Sequence, residues 1–227
     1  MADDAVARLR KLDVCDLSDA LDALKLEPAV TGLRPLGTPR PIAGRAVTVR
    51  LVAGPPPTAS TRHLGTAAVE AAGPDDLIVI EQRSGIDAAA WGGILSRAAQ
   101  HRGIAGTVIE GPGRDVEEAD SIGYPVYARS STARTARGRI YEAEFQVAIT
   151  VGGTTVSPGD YVAADRSGCV VIPAAHIADV LARAEDIRDK SERMAAAVAK
   201  GLPVSQVMGG DYENMLHGKS EDTPSHG

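Results

Sequence analysis

The sequence predicts an α/β fold, and three observations carry that prediction. Between Val14 and Ala128, apolar runs of strand length alternate with amphipathic segments and turns. From Val147 to Ile172, short β-branched runs are separated by tight turns containing Gly or Pro. The chain of 227 residues is 44% hydrophobic with aromatics at only 3%, so one sizeable core must be packed from Ala, Val, Ile and Leu.

Each element follows from its local pattern. Leu17, Ala20, Leu21 and Leu24 recur at helical spacing, which predicts an amphipathic helix over residues 14–24 with Ser18 or Asp16 as its cap. Residues 27–44, rich in Pro and Gly, read as an extended loop into the strand Ala46–Val52, which Gly54-Pro55-Pro56-Pro57 stops. A helix over residues 60–72 and the turn Gly73-Pro74-Asp75-Asp76 precede the fully apolar strand Leu77–Ile80. Gly92-Gly93 introduces a helix over Ile94–Arg102 that Gly103 ends, and Ala105–Ile109 forms a buried strand. Glu110-Gly111-Pro112-Gly113-Arg114-Asp115 reads as a turn, followed by a helix over Val116–Ser121 and a strand over Pro125–Ala128. The runs Val147–Val151, Thr154–Val156, Tyr161–Ala164 and Cys169–Ile172 predict an antiparallel meander. Ala174–Lys200 predicts a long helix ending at Gly201. Residues 1–201 are expected to form one domain and 202–227 an extension, with a disordered polar tail after His217.

A net charge of −6 gives no general attraction to phosphate backbones or anionic lipid, and the scarcity of aromatics disfavours base-stacking modules. No stretch approaches a membrane span, and Met1–Arg10 has no apolar leader core, so the expectation is a cytoplasmic protein without nucleic-acid or membrane partners. Cys15 and Cys169 lack metal or redox spacing and read as inert thiols.

Two turns could carry chemistry. Gly92-Gly93-Ile94-Leu95 opens a helix, whose first N–H groups bind carboxylate or phosphate, although glycine there also simply lets a chain turn. In the second turn Arg114 can clamp a carboxylate, while Asp115 is a hard oxygen ligand suited to Mg²⁺ or Mn²⁺. Asp115 with Glu118 three residues on reads equally well as a capping box. The basic run Arg129, Arg134, Arg137 and Arg139 reads as an anion site or as a solvated loop. No serine nucleophile elbow and no dinucleotide-binding glycine loop is present.

The segment Trp91-Gly92-Gly93-Ile94-Leu95, with Ala98-Ala99, Gly103, Gly106, Val108, Glu110-Gly111, Arg114-Asp115, Gly123, Pro125-Val126 and Ala128, resembles the RraA-like superfamily. That superfamily includes 4-hydroxy-4-methyl-2-oxoglutarate / 4-carboxy-4-hydroxy-2-oxoadipate aldolases and the regulator of ribonuclease E activity. Ser18-Asp19-Ala20-Leu21-Asp22, Gly44–Val49, Pro158-Gly159-Asp160 and Asp165–Pro173 extend the resemblance over residues 14–201. It implies a swivelling β/β/α domain in a homotrimer or hexamer. It also implies a divalent-metal-dependent lyase that cleaves or decarboxylates a small 2-oxo acid to release pyruvate, the metal acting as Lewis acid and the broken bond leaving an enolate. By position, Asp115 would ligate the metal, Arg114 would bind the pyruvoyl carboxylate and stabilise the oxyanion, and the amides of Gly92, Gly93, Ile94 and Leu95 would hold the carboxylate.

The chain departs from this pattern at Gly93, where the aldolases carry an Asp, 21 positions before the Arg, that holds metal-bound water. Glu110 stands where an Asp is common and is expected to reach toward the site or to form a local salt bridge. Glu192, or Ser191 in its register, is the candidate for the carboxylate that a neighbouring subunit contributes. Two alternatives accompany the lyase expectation: a non-catalytic regulatory trimer that has lost the metal site, and an enzyme using the same site for dehydration or hydrolysis of a carboxylated substrate.

Overall fold

The computed structural model describes residues 3–27, 29–56 and 62–209. Two helices, α1 (Asp4–Leu9) and α2 (Val14–Ala23), and a short strand β1 (Arg34–Pro35) lead into the long strand β2 (Ile42–Ala53). Three crossovers follow through α3 (Thr66–Ala71), β3 (Asp76–Gln82), α4 (Gly93–His101), β4 (Gly106–Gly113), α5 (Val116–Ser121) and β5 (Val126–Ser131). The last third holds β6 (Ile140–Phe145), β7 (Ile149–Val151), β8 (Thr154–Val156), β9 (Tyr161–Ala164), β10 (Cys169–Ile172), the long α6 (Ile177–Ala199) and a single turn, α7 (Val204–Val207).

β2, β3, β4 and β5 are parallel neighbours in one sheet of order β1-β5-β4-β3-β2-β9-β10. β2 is long enough to hold two antiparallel partners on its other edge, β9 along Ile42–Arg45 and β6 along Val49–Ala53. A parallel strand flanked on both sides must be apolar on both faces, which is why Leu77-Ile78-Val79-Ile80 is an unbroken run. Ile78, Ile80, Ile109, Val126 and Ala128 pack under α3, α4 and α5, against Ala68, Val69, Trp91, Leu95 and Ala119. Leu77, Val79, Val108 and Tyr127 face the opposite way, onto Ile149, Val151 and Val156 of the β7–β8 hairpin. The layers are therefore sheet on sheet on helix, the β/β/α architecture. A third cluster joins α1, α2 and the first half of α6 to Ala43, Ala163, Val170 and Ile172.

Several boundaries differ from the sequence expectation. Asp13, not Ser18 or Asp16, caps α2, its carboxylate accepting from the Asp16 N–H at 2.8 Å, because the helix starts at Val14. Glu110–Gly113 is strand rather than turn: β4 continues to Gly113 with a register shift between Ile109 and Pro112. Glycine suits position 111 there, since a Cβ would lie 2.9 Å from the Gln82 carbonyl of the neighbouring strand. α1 and β6 had no sequence signal strong enough to be drawn, and α7 lies within what reads as the extension. The tail after His217 falls outside the described residues. No described helix is long and apolar enough to cross a membrane.

Only the first half of α6 is buried, through Val180, Leu181, Ala184 and Ile187. Leu181→Ala is expected to cost about 3 kcal/mol, read by urea unfolding; a loss of well under about 1 kcal/mol would show that α6 does not close this core.

Candidate active site

The site is assembled where β4 ends and α4 begins. Ala90 N–H donates to the Pro112 carbonyl at 2.8 Å and Arg114 N–H to the Trp91 carbonyl at 3.1 Å, so the segment before α4 is fastened to the end of β4. Trp91 is buried, donates through Nε1 to Ser96 Oγ at 2.9 Å and stacks on Tyr124 with ring centroids 6.3 Å apart. These contacts fix Gly92 and Gly93 against Arg114 and Asp115.

Asp115 has left-handed backbone, φ +57° and ψ +43°, a conformation that costs a non-glycine residue about 1–2 kcal/mol. It occupies the N-cap position of α5 yet makes no cap bond to that helix. Its Oδ2 instead accepts from the Gly93 N–H at 2.8 Å and lies 3.3 Å from Arg114 Nε. The capping-box alternative is thereby set aside, for Glu118 also turns away from its own helix start and pairs through Oε1 with Arg97 Nε on α4. The same geometry brings carboxylate ends directly over both glycines. A Cβ on residue 92 would sit 2.8 Å from Asp115 Oδ2 and 3.2 Å from Arg114 Nε, and one on residue 93 would sit 1.9 Å from Glu118 Oε2.

These groups line a cavity of about 440 Å³ together with Leu64, Trp91, Thr135 and Arg137, a size suited to a small ligand. Gly92, Gly93, Ile94, Leu95, Arg114 and Asp115, the residues singled out in the two turns, all line it. The first turn of α4 offers backbone N–H groups that have no intrahelical partner, and Asp115 engages that of Gly93. Ile94, 83% exposed, forms part of the rim. Glu118, His63 and Arg137 line the cavity although sequence reasoning did not select them as site residues. The only signal for Glu118 was its spacing of three from Asp115, and for Arg137 its place in the basic loop.

Glu110 and Glu192 lie elsewhere in the chain. Glu110 points to the hairpin face, where both its oxygens accept from Arg129 at 2.8–3.1 Å and Oε2 also takes the Gly152 N–H at 2.8 Å. The local salt bridge is therefore its role, because residue 110 follows Ile109 by one position and alternation along β4 sends its side chain to the other face. Glu192 is exposed on α6, near Asp16 of α2 rather than its own chain's cavity. Burial chiefly, with the charges of Asp13, Asp19 and Glu192, pushes Asp16 up to about 6 against the opposing pull of Arg188. Among the described residues no group of three or more His, Cys, Asp or Glu side chains gathers as a metal cage. Burial raises the Cys169 thiol to about 12, which keeps it protonated and unreactive.

A sheet-on-sheet-on-helix domain with an Arg-Asp pair facing a glycine helix start defines the class. The chain belongs to the RraA-like family, described as Aldolase/RraA, whose model matches residues 14–171. It is 33% identical over 197 residues to protein DlpA of Legionella pneumophila, covering 84% of this chain but only 31% of DlpA, so it spans about a third of that relative's length. A protein of Halalkalibacterium halodurans carrying the provisional name 4-hydroxy-4-methyl-2-oxoglutarate aldolase is 26% identical, the match covering 94% of this chain and 96% of that one. An uncharacterized protein from Pseudomonas syringae pv. tomato superposes with a TM-score of 0.81 at 28% identity, over 92% of this chain and 98% of its own. Streptomyces coelicolor RraAS2, described as an unusual member of the RNase ES inhibitor RraA protein family, shares the fold with a TM-score of 0.74 at 23% identity, over 85% and 96%.

Two outcomes follow from the positions of the displaced carboxylates. Glu110→Gln is expected to lower stability by about 2 kcal/mol in chemical unfolding, since charge-assisted bonds to Arg129 and Gly152 are weakened. Asp16 is raised in the folded state, so its proton stabilises the fold at low pH and that contribution is lost as pH rises through about 6. Asp16→Asn should accordingly raise the melting temperature at pH 7.5 and leave it unchanged near pH 3.5; an equal gain at both would refute the assignment.

Proposed function

We propose that this cavity is the active centre of a divalent-metal-dependent carbon–carbon lyase, an aldolase and decarboxylase that acts on a small 2-oxo acid and releases pyruvate. The observation that carries the reading is the convergence of Arg114 and Asp115 on the glycine start of α4, in the lining of a cavity sized for such a molecule.

The donor set suits Mg²⁺ or Mn²⁺. Such a cation keeps several waters and takes one or two carboxylates rather than an all-protein cage. Asp115 would hold it, since Gly93 and Arg114 engage only its Oδ2. When bound, the cation supplies Lewis acidity at the 2-oxo group.

The chain's own residues do the rest. The Arg114 guanidinium and the first amides of α4 bind the substrate carboxylate, which fixes the 2-oxo group beside Asp115. As the carbon–carbon bond breaks, negative charge grows on the 2-oxo oxygen and Arg114 stabilises it. Leu64, Trp91 and Leu95 make part of the lining apolar, which limits water, and the exposed His63 and Arg137 meet the remainder of the substrate. In the same reading the chain works as a cytoplasmic homotrimer or hexamer, and Glu192, away from its own cavity, serves that of a neighbouring copy.

A regulatory, non-catalytic role is the second reading. It is favoured by the missing carboxylate at Gly93 and by fold neighbours described as RNase ES or RNA-processing inhibitors. The two separate in a coupled absorbance assay of pyruvate release from oxaloacetate and 4-carboxy-4-hydroxy-2-oxoadipate with Mg²⁺ or Mn²⁺. The lyase reading expects chelator-sensitive turnover, and a fall of at least about 10²-fold in Arg114→Ala and in Asp115→Ala with unchanged circular dichroism. A folded protein that releases no pyruvate with either metal would leave the regulatory reading and that of an enzyme using the same site for dehydration or hydrolysis.

A further inference from the structure

Position 93 is not simply vacant. The space that a side chain on residue 93 would enter is filled by a carboxylate arriving from α5: Glu118 Oε2 lies 1.9 Å, and its Cδ 2.4 Å, from where a Cβ on Gly93 would stand. One residue earlier, Asp115 Oδ2 lies 2.8 Å from the corresponding point on Gly92. Two carboxylates three residues apart, Asp115 at the N-cap of α5 and Glu118 in its first turn, thus cover Gly92, the N-cap of α4, and Gly93, its first residue. They do so from opposite constraints. Asp115 is fastened by the Gly93 N–H and Arg114, whereas Glu118 is held through Oε1 by Arg97, which leaves Oε2 over the glycine.

From this we infer that Glu118 is the cavity's second acidic group, delivered from α5 into the place of a side chain at 93, and that it faces the divalent cation held by Asp115. Gly93 is then the condition for Glu118 to be there, rather than a mark of a lost site. A helix-surface salt bridge to Arg97 would not by itself require it, since a pair at this exposure contributes about 0–1 kcal/mol and could form with Glu118 turned outward. The inference rests on the reading of the cavity as a divalent-cation site.

The test is Mn²⁺ binding to the full-length protein, by electron paramagnetic resonance and titration calorimetry, with melting temperature recorded alongside. Wild type is expected to bind and Asp115→Ala to lose binding. Glu118→Gln, nearly isosteric, should weaken affinity about 10- to 100-fold with little change in melting temperature. Gly93→Asp alone should be impaired by collision with Glu118, and the double variant Gly93→Asp with Glu118→Ala should regain most of the affinity, because either position then supplies one carboxylate to the same space. Wild-type affinity in both Glu118→Gln and Glu118→Ala, with binding lost in Asp115→Ala, would overturn the role of Glu118 while leaving the cation site in place. Equal losses of melting temperature in Glu118→Gln and Arg97→Ala with unchanged Mn²⁺ affinity would reduce Glu118 to a structural partner. Absence of Mn²⁺ binding in wild type would overturn the cation site and the inference together.

Discussion

The geometry of the cavity depends on one contact between turns distant in the chain, the Gly93 N–H donating to Asp115 Oδ2 at 2.8 Å. A carboxylate at a helix N-terminus gains about 0.3–1 kcal/mol from the helix dipole, more when partly buried. The left-handed backbone that aims it there costs about 1–2 kcal/mol. What the contact secures is position: Asp115 is turned away from the helix it begins and toward the one beside it, and Arg114 comes with it. Both glycines sit directly beneath these charged groups, and a side chain at 92 or 93 would have to displace the carboxylate ends that cover them.

The division of labour between the two faces of the sheet explains where the remaining charges went. On the helix face, crossovers leave the ends of β4 and α4 adjacent, and ligand-binding groups collect where such strands end. On the other face a short hairpin must be held against the strands by few contacts, and there acidic side chains act as braces. Glu110 takes Arg129 and the Gly152 amide, while Glu81 takes the Thr150 amide and Arg50. An acidic residue on β3 or β4 therefore bears on anchoring or on chemistry according to its register, and one position decides between them.

Most of the strands were legible because their apolar content is a direct consequence of burial on both faces, as in Leu77–Ile80 and Cys169–Ile172. The crossover helices and the glycine stop at 103 were legible for the same local reason. β6 was not, because Ile140–Phe145 lies at an edge and alternates apolar with charged residues only weakly. The strand character of Glu110–Gly113 was hidden by its glycines, whose purpose there is close approach to Gln82 rather than chain reversal. In the site, residue types identified Arg114 and Asp115, but spacing alone could not separate a capping box from a ligand pair. Asp115 bonds to a residue 22 positions upstream and Glu118 to one 21 upstream, and local grammar contains neither contact.

The charge arrangement also constrains how an anionic substrate could enter. Arg114 is partly neutralised by Asp115 at 3.3 Å, and Glu118 by Arg97, so among the described residues the cavity's remaining positive charge comes from Arg137 and the start of α4. A second carboxylate brought within ~4 Å of Asp115 or Glu118 would meet a repulsion of about 4 kcal/mol at the effective dielectric near a protein surface. A divalent cation between them reverses the sign of that term. Cation and 2-oxo acid should then bind with positive coupling, each raising the affinity for the other by the same factor. That reciprocity distinguishes a cavity built for metal-assisted chemistry from one that merely retains acidic side chains, because the latter would repel the acid whether or not the cation were supplied.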